Sequence, residues 1–423
     1  MLTQRPRGTE DILPGNSEKW QHVEEVARSL CRLYGYREIR TPIFEHTELF
    51  QRGVGDTTDI VEKEMYTFLD RSERSLTLRP EGTAPVVRAF LEHRLYSGML
   101  PVKLFYIGPM FRYGRPQAGR LRQFHQFGVE VFGSREPSLD AEVIALAMDY
   151  YRRLGLEGLE LHINSVGCPS CRPIHREKLK SYLKDKLEAF CPTCQGRFER
   201  NPLRIFDCKN PKCQELLKGA PTITSSLCPD CSQHFQEVLR YLEELNITYL
   251  LDECLVRGLD YYTNTAFEII APGLGAQSSI GGGGRYDGLV EACGGPSMPG
   301  IGFGLGLERT LLALEAQNKK IKVEDGVEVL VATVGEGMET KALRLLSLLR
   351  EHNIPADKDY LGRSLKAQMK YAHRYPARLV IILGEEELER GRVTVKNLKT
   401  GDQEEVSWDD VVDFCLRAKE CEG

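Results

Sequence analysis

The sequence lacks long apolar runs, a surplus of positive charge, and any stretch whose composition marks disorder. No segment approaches the roughly twenty consecutive apolar residues that a helix needs to cross a bilayer. The opening MLTQRPRGTEDILPG holds no apolar run of the kind a secretory signal requires. A cytoplasmic chain with no membrane partner is therefore expected. The formal net charge of -5 excludes a wholesale polycation and confines any nucleic-acid contact to local patches. At 423 residues and 41% hydrophobic content, the chain has room for two or three ordinary globular domains. What it has in excess is cysteine. Thirteen is a high and odd number for a cytosolic protein, which favours metal binding or free thiols over a disulfide framework.

Eight of these cysteines lie between Cys168 and Cys231 as four close pairs: Cys168 with Cys171, Cys191 with Cys194, Cys208 with Cys213, and Cys228 with Cys231. Three pairs are CxxC knuckles, and the fourth has a longer spacing that structural zinc also accepts. The pattern predicts a four-cysteine Zn2+ site, or two, that staples a small module with a thin core of its own; reduced thiols are the alternative. Helical stretches near 172–190 and 232–246 would frame it.

The stretch from Leu104 to Gly133 concentrates cations and polar groups between two apolar runs and reads as strand, loop, strand. The first strand should end near Arg112 and the second should span Gln123 to Phe132. Alternation along the second puts Phe127, Val129 and Val131 on one face, and Gln126, Gly128 and Glu130 on the other. That second face reads as a pocket floor, with Gly128 leaving room for a ligand. The loop beside it carries Arg112, Arg115, Arg120 and Arg122, a density of like charge that suits a phosphate partner.

Elsewhere, residues 16–34 have helical apolar spacing, and the following YREIRTPIFE is a strand interrupted by Pro42. In SLTLRPEGTAPVV, Thr83 is placed to cap a helix whose first turn accepts Pro85, and Glu81 sits where a carboxylate favours the helix start. A helix over 139–154 and a strand in LELHINSVG precede the cysteines. After them come LVRGLDYYTNTAFEII, the glycine run of SSIGGGGRYDGLV, and GIGFGLGLERTLLAL, a strand running into a helix with Arg309 in its first turn. Beyond about residue 322 the texture becomes a βα pattern with a hairpin turning at Gly401.

An arginine closing one strand, a basic loop and a second strand bearing FHQFGVE resemble the second signature motif of class II aminoacyl-tRNA synthetases. RPQAGR…RQFHQ and the RGLDYY block, with Arg257, Tyr261 and Tyr262, resemble the histidyl-tRNA synthetases in particular. The helix, strand and proline near the start look like the first motif, and the strand and helix around Arg309 like the third. The resemblance implies an α+β fold: a class II antiparallel sheet flanked by helices over 1–322, interrupted by a cysteine-rich helical insertion at 168–250, then a mixed α/β anticodon-binding domain over 326–423.

It implies activation of L-histidine by ATP with Mg2+, transfer to the 3′ end of tRNA(His), and a homodimer. Residue by residue, Arg112 and Arg257 would grip the α-phosphate, and Arg120 and Arg309 would bind ATP. Glu81, Gly82 and Thr83 would take the ammonium side of histidine, and Gln126 its carboxylate side. Glu130 and Tyr262, supported by Tyr261, would bracket the imidazole. In the C-terminal domain, Arg363, Lys366, Lys370 and Arg374 could face RNA. Gly114 and Leu121 depart from the family pattern, where an acidic and an aromatic residue are expected; both lie in the loop rather than on the pocket floor. Two other classes of function compete: a non-catalytic histidine-sensing paralogue, and a zinc-dependent nucleic-acid binder for which the rest is scaffold. The first should lose the anticodon domain and some arginines, and the second leaves RGLDYY unexplained.

Overall fold

A computed structural model describes residues 3–55, 58, 60–275, 278–321, 326–375 and 377–420. The chain divides into two compact units, Met1–Ile321 and Lys322–Gly423. The expected boundary at 322–325 lies outside the described residues.

The first unit is built on an eight-stranded sheet in the order Arg37–Glu38, Val102–Phe111, Gln123–Phe132, Gly300–Gly306, Ser279–Arg285, Thr263–Ile270, Glu160–Ser165, Leu250–Leu251. The long central strands pair antiparallel, and the two-residue strands at each edge pair parallel with their neighbours. Alternation sorts the faces as the sequence requires. Phe127, Val129 and Val131 enter the main core against Val23, Ala27 and Leu30 of helix Ser17–Leu33 and against Val143, Ile144 and Ala147 of helix Pro137–Arg153. Helices therefore cover one face, and the face bearing Gln126 and Glu130 is left for a site.

Several local expectations are refined. The strand broken at Pro42 is two short strands, Arg37–Glu38 in the main sheet and Phe44–His46 in a three-stranded sheet with Ser75–Leu78 and Tyr66–Leu69. Thr83 does not cap its helix but is the first residue of Thr83–Glu92. The Glu81 carboxylate accepts hydrogen bonds from the Thr83 and Ala84 N–H groups, both at 2.8 Å, and so satisfies the helix start itself. The glycine run forms the strand Ser279–Arg285. A Cβ on Gly283 would stand 2.0 Å from the Gly302 carbonyl oxygen, so neighbouring backbone occupies the space a side chain would need.

The insertion contributes helices Cys171–Leu183, Pro192–Arg200, Pro211–Leu217 and Pro229–Glu244; the helix expected over 172–190 tightens to 3₁₀ geometry at Lys184–Ala189. The second unit is a five-stranded sheet in the order Ala356–Lys358, Val329–Thr333, Leu379–Leu383, Arg392–Asn397, Gln403–Ser407, parallel through the first three strands and antiparallel after them. Helices Met338–Glu351 and Val411–Glu420 cover one apolar core, and Leu365–Arg374 covers another. Gly401 turns the hairpin with φ +84°. The strand Ala356–Lys358 and the short helix Glu385–Glu389 had no clear periodicity to announce them. Among the described residues, no helix is long and apolar enough to cross a membrane.

Candidate active site

On the open face of the central sheet, Glu130 is wholly buried and ringed by hydroxyls. Thr83 Oγ1 donates to its Oε1 at 2.7 Å, Tyr106 OH lies 3.4 Å from the same oxygen, and Tyr286 OH donates to Oε2. Burial pushes the Glu130 carboxyl up to about 8, against the pull of these hydrogen bonds and with help from the nearby Glu81 charge. Burial also raises Glu81, although the backbone N–H groups of Ala84 and Thr83 oppose it. Tyr261 OH approaches Glu81 Oε2 at 3.5 Å, and its ring packs against Tyr262 at 4.8 Å and Tyr286 at 5.7 Å. Glu81, Thr83, Glu130, Tyr261 and Tyr262 thus form one cage of carboxyls and phenols. Gln126 lies four residues before Glu130 on the same face, beyond Gly128 and against Gly304, where a Cβ would come within 3.1 Å of its amide nitrogen. The room expected beside Gly128 is already filled. A Cβ on Gly82 or on Gly128 would meet the Tyr106 ring at 2.2 Å, so these glycines admit a tyrosine between them rather than a ligand.

The arginines do not crowd into one cluster. Arg112 is held by Nε donation to the Pro80 carbonyl at 2.7 Å, with its guanidinium 5.3 Å from the Phe124 ring centroid. Arg120, 45% exposed, pairs with Glu64; Arg122 stacks 4.0 Å over Tyr113; Arg115 is exposed. Arg309 donates to the Gly119 carbonyl at 2.8 Å and to the Ser279 carbonyl at 2.6 Å. Burial lowers the Arg309 pKa, and the charges of Arg112 and Arg120 lower it further, so the three cations share one electrostatic field. Arg257 reaches the same sheet face from the other side. It donates to Glu268 at 2.9 Å, while its buried Nε has no hydrogen-bond partner. Burial pushes Glu268 up, but the Arg257 guanidinium, the Ser279 hydroxyl and the Lys209 charge together hold the carboxyl below its ordinary range. A carboxyl cage thus sits beside a field of guanidinium groups, an arrangement suited to a cationic or hydrogen-bond-donating ligand on one side and a phosphate on the other.

The cysteines form two tetrads, and the sequence-adjacent pairs combine in a nested order. Cys168, Cys171, Cys228 and Cys231 make one group; Cys191, Cys194, Cys208 and Cys213 make the other. Within each, all four sulfurs lie within 4.8 Å of one another, a spacing that could hold a metal ion.

Several site residues lie outside the set the sequence singles out. Tyr106 and Tyr286 read as core aromatics in apolar surroundings, yet both reach Glu130. Glu268 alternates onto the site face of its strand, which its neighbours Phe267 and Ile269 allow one to infer. His125 meets Glu308 through Nδ1 at 3.0 Å and through its backbone N–H at 2.9 Å, tying the pocket strand to the helix that carries Arg309. A cleft of about 1110 Å³ is lined by Arg7, Trp20 and Gly119 together with His125 and Glu308.

In comparisons with known proteins, a family profile described as histidyl-tRNA synthetase matches residues 8–171 and 212–310, and one described as anticodon binding domain matches 328–418. The first match does not include 172–211, the segment holding Cys191, Cys194 and Cys208. The chain is 72% identical over 420 residues to a histidine--tRNA ligase of Moorella thermoacetica, covering 99% of both chains. It is 63% identical over 414 residues to one of Desulforamulus reducens, covering 98% of this chain and 99% of the other. Among solved structures it resembles apo histidyl-tRNA synthetase of Staphylococcus aureus, with TM-score 0.83 and 43% identity over 97% of this chain and 99% of that one. A Bacillus halodurans protein titled as an ATP phosphoribosyltransferase regulatory subunit/histidyl-tRNA synthetase shares the fold, with TM-score 0.64 and 22% identity over 91% of this chain and 99% of that one.

Proposed function

Because the chain belongs to the histidyl-tRNA synthetase family and carries its ATP-dependent histidine--tRNA ligase activity, we propose that the carboxyl cage receives histidine and the arginine field receives ATP. The observation that carries this division is Glu130, a buried carboxyl ringed by Thr83, Tyr106 and Tyr286, on the same open face of the sheet as the field of Arg112, Arg257 and Arg309.

Glu130 and Tyr262, buttressed by Tyr261, hold the imidazole of L-histidine. Glu81, Gly82 and Thr83 take its ammonium group, and Gln126 its carboxylate side. Such polar brackets reject apolar isosteres, because their own buried groups would be left unpaired. Arg112 and Arg257 grip the α-phosphate as the histidine carboxylate attacks it. The P–O bond to pyrophosphate breaks as histidyl-adenylate forms. Arg257, with its partnerless Nε, has donor capacity to spare for that developing charge. Arg309 and Arg120 hold the distal phosphates. Mg2+ accompanies ATP as its chelate and supplies further charge neutralisation; Glu268 and Glu64, among the arginines, offer the oxygen ligands that this ion accepts. The histidyl group then passes to the terminal ribose of tRNA(His). The C-terminal unit reads the anticodon, with Lys366, Lys370 and Arg374 exposed on one helix and Arg363 just before it. The cysteine tetrads are structural Zn2+ sites that take no part in either chemical step.

We read the working form as a cytoplasmic homodimer. Ile43, Phe44, Phe68 and Leu69 stand exposed on and beside the small three-stranded sheet, an apolar patch of the kind a partner subunit covers.

The test is histidine-dependent exchange of labelled pyrophosphate into ATP, with and without tRNA, in the native protein and in Arg257→Ala. Exchange that requires histidine, needs no tRNA and collapses in the variant is the expected result. Histidine binding without exchange would overturn it in favour of a sensor.

A further inference from the structure

We propose that the insertion binds two Zn2+ ions in a nested arrangement, and that the outer ion positions the Tyr261–Tyr262 side of the histidine pocket. The positioning half rests on the reading of that pocket above; the metal assignment stands independently.

The geometry of the tetrads fits the ion. Four sulfurs about 2.3 Å from a tetrahedral Zn2+ stand about 3.8 Å apart. Cys168 Sγ and Cys171 Sγ are 3.5 Å apart, and Cys191 Sγ and Cys208 Sγ 3.9 Å, far beyond a disulfide bond in both cases. Backbone N–H groups already point at the sulfurs: Cys228 to Cys171 Sγ at 3.1 Å, Cys191 to Cys213 Sγ at 3.3 Å and Asn210 to Cys208 Sγ at 3.5 Å. Such donors support the thiolates a metal needs. The module also needs the support, since Cys194, Cys208 and Cys213 are themselves part of its small core with Leu179, Leu183 and Phe198.

The two sites differ in position. The inner tetrad lies wholly between residues 191 and 213. The outer one joins the point where the chain leaves the sheet, just after strand Glu160–Ser165, to the point where it returns, at the start of helix Pro229–Glu244. From the outer site, contacts run directly to the pocket. The Asn264 side-chain amide lies 3.1 Å from Cys231 Sγ, and a half-turn of that amide presents its N–H groups to a thiolate. Asn264 holds a left-handed backbone, φ +49°, and exchanges backbone hydrogen bonds with Val166 and Gly167. Arg172, next to Cys171, donates to the Val166 carbonyl at 3.4 Å and the Asp260 carbonyl at 3.5 Å. Val166 packs with Tyr261 and Tyr262. The outer ion therefore fixes the backbone on both sides of the two tyrosines.

The test combines metal analysis of the full-length, zinc-grown protein with exchange kinetics and calorimetric histidine binding. The native protein should carry two zinc ions per chain. Cys228→Ser/Cys231→Ser should lose one and raise the histidine KM about ten- to a hundredfold with the ATP KM unchanged. Cys191→Ser/Cys194→Ser should also lose one but leave the histidine KM as it was. Asn264→Gly, which accepts the left-handed backbone and removes only the side-chain amide, should keep both ions and still raise the histidine KM, so it decides the matter if the outer cysteine variant does not fold. Fewer than two ions in folded native protein would overturn the nested pair. A histidine KM unmoved in Asn264→Gly, or moved equally by inner and outer variants, would overturn the positioning. If the native protein shows no exchange at all, the catalytic reading fails; zinc content and calorimetric histidine affinity across the same variants still decide this one.

Discussion

Replacing Glu130 by glutamine should make the unliganded protein more stable at neutral pH while abolishing histidine activation. The carboxyl titrates near 8 in the folded protein against an ordinary value of 4.5, because burial disfavours its charge. A carboxyl raised on folding binds its proton more tightly in the native state than in the unfolded one. Its contribution is therefore neutral below about pH 4.5, and stability is lost progressively as pH rises from there to about 8. At pH 7 the penalty works out at about 3 kcal/mol, with local relaxation reducing it. Glutamine has the shape of the protonated acid, can still accept from Thr83 and Tyr106, and never ionises. Urea unfolding at pH 5 and pH 8, followed by Trp20 fluorescence in a Trp408→Phe background, reads the first unit. The gap between variant and parent should be small at pH 5 and grow to about 2–4 kcal/mol in the variant's favour at pH 8. A variant less stable than its parent at pH 8 would refute the reasoning, since the ionised carboxylate would then be a net stabilising group.

Three further outcomes follow from the same geometry. Arg309→Ala should lower kcat/KM for ATP by about a hundredfold or more in pyrophosphate exchange while leaving calorimetric histidine affinity unchanged, because Arg309, held by the Gly119 and Ser279 carbonyls, belongs to the side of the site proposed to receive ATP. Gly128→Ala puts a methyl group 2.2 Å from the Tyr106 ring, and should destabilise by about 1–3 kcal/mol and weaken histidine binding; normal affinity would mean that Tyr106 has somewhere else to go. Arg285→Ala leaves Asp140, wholly buried and shared with Thr265 and His234, without its cation. A loss of about 3–5 kcal/mol in chemical denaturation is expected.

Periodicity made much of the catalytic sheet legible. The strand Gln123–Phe132 and its two faces, the helix Ser17–Leu33 and the strand-to-helix turn before Arg309 all follow from spacing alone. What escaped was long-range partnership. Tyr106 reaches Glu130 from the neighbouring strand and Tyr286 from 156 residues away, and nothing local separates them from core aromatics. The cysteine pairs were visible, but their nesting depends on where the chain leaves and re-enters the sheet, which spacing does not encode. The loop arginines looked like one cluster because sequence places them together; Glu64 and Tyr113 draw two of them aside.

The order of strands has a consequence for how the protein is made. Gly300–Gly306, Ser279–Arg285 and Thr263–Ile270 fill the middle of the sheet, between Gln123–Phe132 and Glu160–Ser165, yet emerge from the ribosome after both flanks and the whole insertion. Until they arrive, the nascent chain presents two unpaired edges of apolar strand, the condition that invites misassociation. Val131 and Phe127 on one flank and Ile163 on the other wait for partners more than a hundred residues downstream. Because the helix Pro229–Glu244 packs on Pro137–Arg153 and anchors His234 to Asp140, the insertion's return path has a docking place before those strands are synthesised. Translation speed through residues 168–250, and chaperone occupancy over the same interval, should therefore change yield.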